Sequence, residues 1–149
     1  MSMKMMNYLG LLGLLLATPG FAATSPLVGT WVLEHSEDTL PDGSLVPYCT
    51  GVHGFVIYTE EGYVSVALNC APQGQGTEPA DISGRKFFYT GTYQFDGKTA
   101  THMLLNASQP ELIGESVTRT VTIRGTELIL AGVNQGQTFS AYWRRVSRQ

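Results

Sequence analysis

Arg119 and His102 hold charged or titratable chemistry in otherwise apolar company along this 149-residue chain. Arg119 shares the parity of Val117, Val121 and Ile123. A guanidinium on such a face needs partners, because an uncompensated buried charge is costly and arginine does not shed its proton. A carboxylate on a bound molecule would answer that need. So would a structural carboxylate, trapped water or a position close to a barrel mouth. His102 sits between Ala100 and Leu104. Its imidazole could contact a ligand, act as a general base with a pKa set by burial, or be a core histidine satisfied by its neighbours. His35 and His53 share its inward parity, but the three fall on the first, second and fifth strands described below. Convergence within about 2.1 Å of one ion is not expected, and neither a metal nor a cofactor is implied. No Ser-His-Asp arrangement, phosphate loop or nucleotide fingerprint occurs. Cys49 and Cys70 read first as a disulfide pair in an oxidising compartment. Closing that loop would stabilise the fold by roughly 3 kcal/mol.

The elements that must position these groups are short strands separated by turn signals. Eight are predicted, at Leu27–His35, His53–Tyr58, Tyr63–Asn69, Phe87–Phe95, Thr99–Leu105, Ser116–Ile123, Thr126–Ala131 and Gln137–Val146. Ser36–Val52, Ala71–Lys86 and Ala107–Glu115 read as loops. Eight strands joined mostly in sequence imply an all-β, up-and-down antiparallel barrel, which removes exposed edges by closure. Hairpin turns then assign faces, since directly opposed residues point the same way. Asp96-Gly97 as a two-residue turn opposes Gly91 to His102 and turns Tyr89, Gly91, Tyr93, Phe95, Ala100, His102 and Leu104 inward. Arg124-Gly125 opposes Arg119 to Leu130 and Val121 to Leu128, all inward. Around Glu60-Glu61 the same logic turns Phe55, Ile57, Val64, Val66 and Leu68 inward, and makes Cys49 and Cys70 a diagonal pair slightly too far apart in an ideal ladder.

The N-terminus carries an export pattern. Lys4 supplies positive charge, Tyr8 to Ala17 an apolar run, and Pro19-Gly20-Phe21-Ala22-Ala23 the small residues a signal peptidase accepts. Residues 1–22 are therefore expected to be a cleaved signal peptide and 23–149 a single domain, placed in the periplasm or secreted. The apolar run is too short for stable membrane insertion. Removing Lys4 makes the remainder more acidic than the formal −3 of the whole chain. With no basic cluster longer than Arg144-Arg145, nucleic acid is not an expected partner.

At this point the residues resemble a known group. Leu27-Val28-Gly29-Thr30-Trp31 looks like the GxW signature of lipocalins, and Gly54-Phe55-Val56-Ile57-Tyr58-Thr59-Glu60-Glu61-Gly62-Tyr63 is similar to a stretch of the bacterial lipocalin-like domain family. Tyr89-Thr90-Gly91-Thr92-Tyr93-Gln94-Phe95-Asp96-Gly97, then Thr101-His102, Gly114, Arg119 and Trp143-Arg144-Arg145-Val146, continue the match over nearly the whole predicted domain. The resemblance implies a lipocalin-like barrel in which Trp31 closes one end and an arginine of the last strand, best matched by Arg145, packs across it. It supports architecture better than function. The expectation is an exported binding protein holding a small hydrophobic or amphipathic molecule, with an anionic end allowed. Tyr89, Tyr93, Phe55, Val66, Val121, Leu130 and Phe139 would line the barrel, and Arg119 and His102 would meet the polar end. A cofactor-free isomerase, cyclase or hydrolase with His102 as base and Arg119 as electrostatic stabiliser is the alternative. A protein-interaction or inhibitor module with a filled barrel is the third reading.

Overall fold

The structure, a computed structural model, describes residues 24–49, 51–70, 86–134 and 136–147. Residues 1–22, expected to be a signal peptide, and nearly all of the Ala71–Lys86 loop lie outside the described residues. Nine strands follow in order: β1 (Gly29–Thr39), β2 (Leu45–Pro47), β3 (His53–Tyr58), β4 (Tyr63–Asn69), β5 (Lys86–Phe95), β6 (Thr99–Ala107), β7 (Ser116–Arg124), β8 (Glu127–Asn134) and β9 (Gln137–Ser147). Each pairs antiparallel with the next from β3 to β9. β1 pairs with both β3 and β9, which closes an eight-stranded up-and-down barrel. The predicted first strand is thus too short. β1 runs on to Thr39, and the three-residue β2 folds back on it within the segment predicted as loop.

Two of the three hairpins have the faces expected from the sequence but a register displaced by two residues. Tyr93 opposes His102 and Gly91 opposes Leu104; Val121 opposes Leu130 and Ile123 opposes Leu128. A slip of two preserves the face because the side-chain period is two. The turns explain the displacement. Gly125 sits at φ +60° and Thr126 follows it in the loop, so the strands end at Arg124 and Glu127. A glycine with positive φ suits the first position of a primed hairpin turn.

The β3–β4 hairpin corrects the sequence reading outright. Its loop has three residues, not two: the Thr59 amide donates to the Tyr63 carbonyl, the Gly62 amide to the Thr59 carbonyl, and Gly62 holds φ +88°. That type I turn plus left-handed glycine is a standard three-residue connection. One extra loop residue opposes Val56 to Val66 and Tyr58 to Val64, which reverses the two faces of β3. Val56 and Tyr58 are fully buried, whereas Phe55 is 51% exposed on the outer wall. His53 also faces outward. A bulge between Leu33 and His35 does the same to β1: Trp31 and Leu33 point in, Glu34 and His35 are exposed, and Ser36 returns inward. His35 stacks on Tyr142 outside, with centroids 4.1 Å apart. Cys49 and Cys70 are bonded, tying the segment after β2 to the end of β4, with Cα atoms 5.9 Å apart.

The interior is filled from one end. Leu27, Trp31, Tyr58, Val64, Ala100 and Leu128 are buried where β1, β4, β6 and β8 begin. Trp31 donates its indole N–H to the Leu27 carbonyl (2.8 Å). The Arg145 guanidinium lies 3.8 Å over the indole and donates to the carbonyls of Val28 (2.7 Å) and Pro26 (2.6 Å). The stack and these bonds hold the segment before β1 across that end of the barrel.

Gly91 shows how closely the strands approach. Thr90 opposes Asn106 while Gly91 opposes Leu104, so Leu105 is an extra residue in β6. A β-carbon at Gly91 would run into the Met103 carbonyl oxygen and crowd the Leu104 backbone. Because backbone cannot swing aside as a side chain does, Gly91→Ala is expected to destabilise by about 3 kcal/mol. Urea unfolding should show a lower midpoint at an unchanged slope.

Candidate functional site

The other end of the barrel is hollow. A cavity of about 610 Å³ opens there, among the ends of β1 and β4 and the starts of β5 and β9. Its deep lining is Arg119, Tyr89, Trp143, Ala141, Leu130, Val66 and Ser36, all buried. Toward the rim stand Asp38, Tyr48, Leu68, Phe87, Gln109, Gln137 and Phe139, half-buried, and the exposed Lys86. Size and mixture suit a small-molecule site, for which roughly 300–1,000 Å³ is usual.

Arg119 is the charged group of the deep wall, only 7% exposed. β7 turns it inward on the parity of Val117 and Val121, and Gly132 on β8 leaves it room. A β-carbon at Gly132 would stand 3.2 Å from Nη1 of Arg119. The guanidinium donates to the Thr118 carbonyl (2.9 Å) and lies 5.0 Å over the Phe139 ring. Among the described residues the ion pair within 4 Å is Arg144 with Glu34, at 3.0 Å on the outer wall. No such carboxylate among the described residues meets Arg119.

His102 is also fully buried, but it does not line the cavity. Its Nδ1 is 2.7 Å from the Tyr89 hydroxyl and its Nε2 3.1 Å from that of Tyr58. A neutral imidazole donates through one nitrogen and accepts through the other, so one tyrosine donates to it and the other accepts. Both nitrogens are therefore committed, which leaves the ring no geometry for taking a substrate proton. Burial, with the Arg119 charge adding to it, holds the His102 pKa down at about 3. Burial pushes the Tyr89 hydroxyl up to about 12 against the opposing charge and hydrogen bond of Arg119. It also raises Tyr58 well above the usual phenol range. The column Arg119, Tyr89, His102, Tyr58 is polar, buried and singly charged at neutral pH. His102 is joined to the cavity wall through its hydrogen bond to Tyr89.

Of the residues expected to hold a ligand, Arg119, Tyr89, Val66, Leu130 and Phe139 meet in the cavity wall. Tyr93 and Val121 are inward but lie outside that lining; Tyr93 donates to the Thr59 carbonyl at 3.1 Å, at the closed end. Phe55 is on the outer wall. Sequence reasoning missed Tyr58, Trp143, Ser36 and Asp38. Tyr58 was hidden by the loop of the β3–β4 hairpin, and Ser36 and Asp38 by the β1 bulge. Trp143 was legible, since it shares the parity of Phe139 and Ala141. Its Nε1–H is buried and has no hydrogen-bond acceptor among the described residues. With His35 and His53 outside, no group of three or more His, Cys, Asp or Glu that could hold a metal ion occurs among the described residues.

A closed eight-stranded barrel, plugged at one end by a tryptophan under an arginine and open at the other, is the architecture of a lipocalin-like protein. Residues 28–146 match the model of the lipocalin-like domain family, and the chain belongs to that family. Among solved structures it is similar to a lipocalin-like protein from Bacteroides uniformis (18% identity, TM-score 0.48, 80% of this chain and 98% of that one). It is also similar to an uncharacterized protein from Bacteroides eggerthii (15%, TM-score 0.45, 80% and 99%). A third is a de novo designed fluorescence-activating β-barrel (16%, TM-score 0.45, 83% and 97%). No curated protein matches the chain.

The neutral imidazole makes a pH signature. An unfolded histidine titrates near ~6.5, whereas His102 in the fold stays neutral down to about pH 3. Below ~6.5 the unfolded chain binds a proton that the folded chain does not, so stability is full above that pH and falls as acid is added. The slope is at most about 1.4 kcal/mol per pH unit for one proton. It is best read between pH 6.5 and 5, above the range of Asp42, Asp96 and Glu61, whose hydrogen bonds lower their pKa values. Urea unfolding across that window should show the slope in the native protein and its loss in His102→Gln.

Proposed function

We propose that the chain is an exported binding protein that holds one small amphipathic molecule in the open cavity. The observation that carries this is a hollow reaching from the barrel mouth to the buried Arg119. A protein whose interior served packing alone would fill that space, because cores are close-packed and each void costs stability. The interaction-module reading assumed a filled barrel, and the hollow favours carriage over it. The enzyme reading relied on His102 as a base, and its two tyrosine partners favour carriage there as well. Arg119, Tyr89, Val66, Leu130 and Phe139 contact the ligand, and Trp143 joins them.

Export rests on the order of charge, apolar run and small residues in 1–22, with cleavage after Ala22. The Cys49–Cys70 bond supports an oxidising compartment, where disulfides persist.

Native mass spectrometry of protein purified from the periplasm tests both parts. The expected result is a chain beginning at Ala23 that carries an extra mass released on denaturation. A chain retaining Met1 would overturn export. A bare chain that also acquires no mass from a total small-molecule extract would overturn carriage.

A further inference from the structure

We propose that the cargo is a singly charged organic anion with a flat, aromatic body, seated with its anionic group on Arg119. This rests on the cavity-binding reading above and adds the chemistry of the ligand to it.

Charge comes first. The buried Arg119 has five N–H donors. Nη1 serves the Thr118 carbonyl, another interaction reaches the Tyr89 hydroxyl, and no carboxylate pairs with the group among the described residues. The deep wall therefore presents a desolvated positive charge with donor capacity left, in a planar fork that matches two oxygens of a carboxylate or sulfonate. Such a fork calls for a group rich in acceptors.

The number of charges follows from the neighbours. His102 is neutral and the buried Tyr58 and Tyr89 keep their protons at neutral pH. The deep wall thus holds one unit of positive charge, and a dianion would bring one charge too many into a low-dielectric site.

The shape of the body follows from the walls. Phe139 already covers the guanidinium, and Phe87 meets Tyr89 edge to face at 5.6 Å. Rings placed this way accept another ring by offset or edge contact. Val66 and Leu130 supply aliphatic surface. At the rim Lys86, Gln109 and Gln137 can meet a polar outer end.

A pair of dyes sharing one aromatic frame tests this on the processed protein. 1-Anilinonaphthalene-8-sulfonate carries one negative charge and N-phenyl-1-naphthylamine none. The anionic dye is expected to bind at least about tenfold more tightly, and Arg119→Gln should abolish that preference. Arg119→Lys, which keeps the charge and loses the fork, should retain part of it. Ala141→Trp, which fills the cavity, should weaken both dyes. Equal affinities in the native protein, or a preference that survives in Arg119→Gln, would overturn the anion inference while Ala141→Trp still certifies the cavity. Both dyes binding unchanged to Ala141→Trp would place them elsewhere and bring down the cavity-binding reading itself. Thermal melting checks that each variant folds; if Arg119→Gln does not, the native dye preference and Arg119→Lys decide.

Discussion

The stack of Arg145 on Trp31 joins the last strand, the first strand and the segment before it. It decides where the barrel is solid. The indole N–H and the guanidinium between them bind three carbonyls of residues 26–28, so chain that would otherwise run free is laid across the opening. Large side chains then fill the barrel upward from that floor. At the opposite end no comparable strap occurs among the described residues, and a cavity of about 610 Å³ lies between the sheet walls.

Between solid and hollow halves runs a polar column. Arg119 belongs to the cavity, Tyr58 to the packed end, and Tyr89 and His102 connect them. Such buried networks are costly when half satisfied and rigid when complete. Here the two tyrosines complete the imidazole and keep it neutral. The charge at the bottom of the cavity therefore stays constant over the physiological pH range. A site for a charged guest built this way holds its electrostatics steady without a titrating partner beside it.

Much of this was legible from residue order alone. Strand positions, closure, the burial of Arg119 and His102, and the pairing of Trp31 with Arg145 all follow from period-two alternation, turn residues and resemblance to a family. What escaped was single-residue phase. One glycine with positive φ lengthens the β3–β4 loop and exchanges the two faces of β3, sending Phe55 out and bringing Tyr58 in. One bulge at Glu34 does the same to the far half of β1, adding Ser36 and Asp38 to the cavity. Neither leaves a compositional mark, because Glu60-Glu61-Gly62 is compatible with loops of two or three residues. The two hairpins displaced by a whole period kept their faces. The inward parity assigned to Tyr89, Arg119 and Leu130 therefore held despite wrong partners.

The short β2 has a consequence for how this molecule behaves at high concentration. Among the described residues, ring closure leaves β2 as the strand without a second neighbour, and it offers three residues ended by Pro47, which has no amide hydrogen to donate. A stray extended chain thus finds almost no backbone to template on. Protection against fibrous self-association is built into the topology, which frees the outer wall to display side chains such as Phe55 and Phe88 without seeding sheet growth.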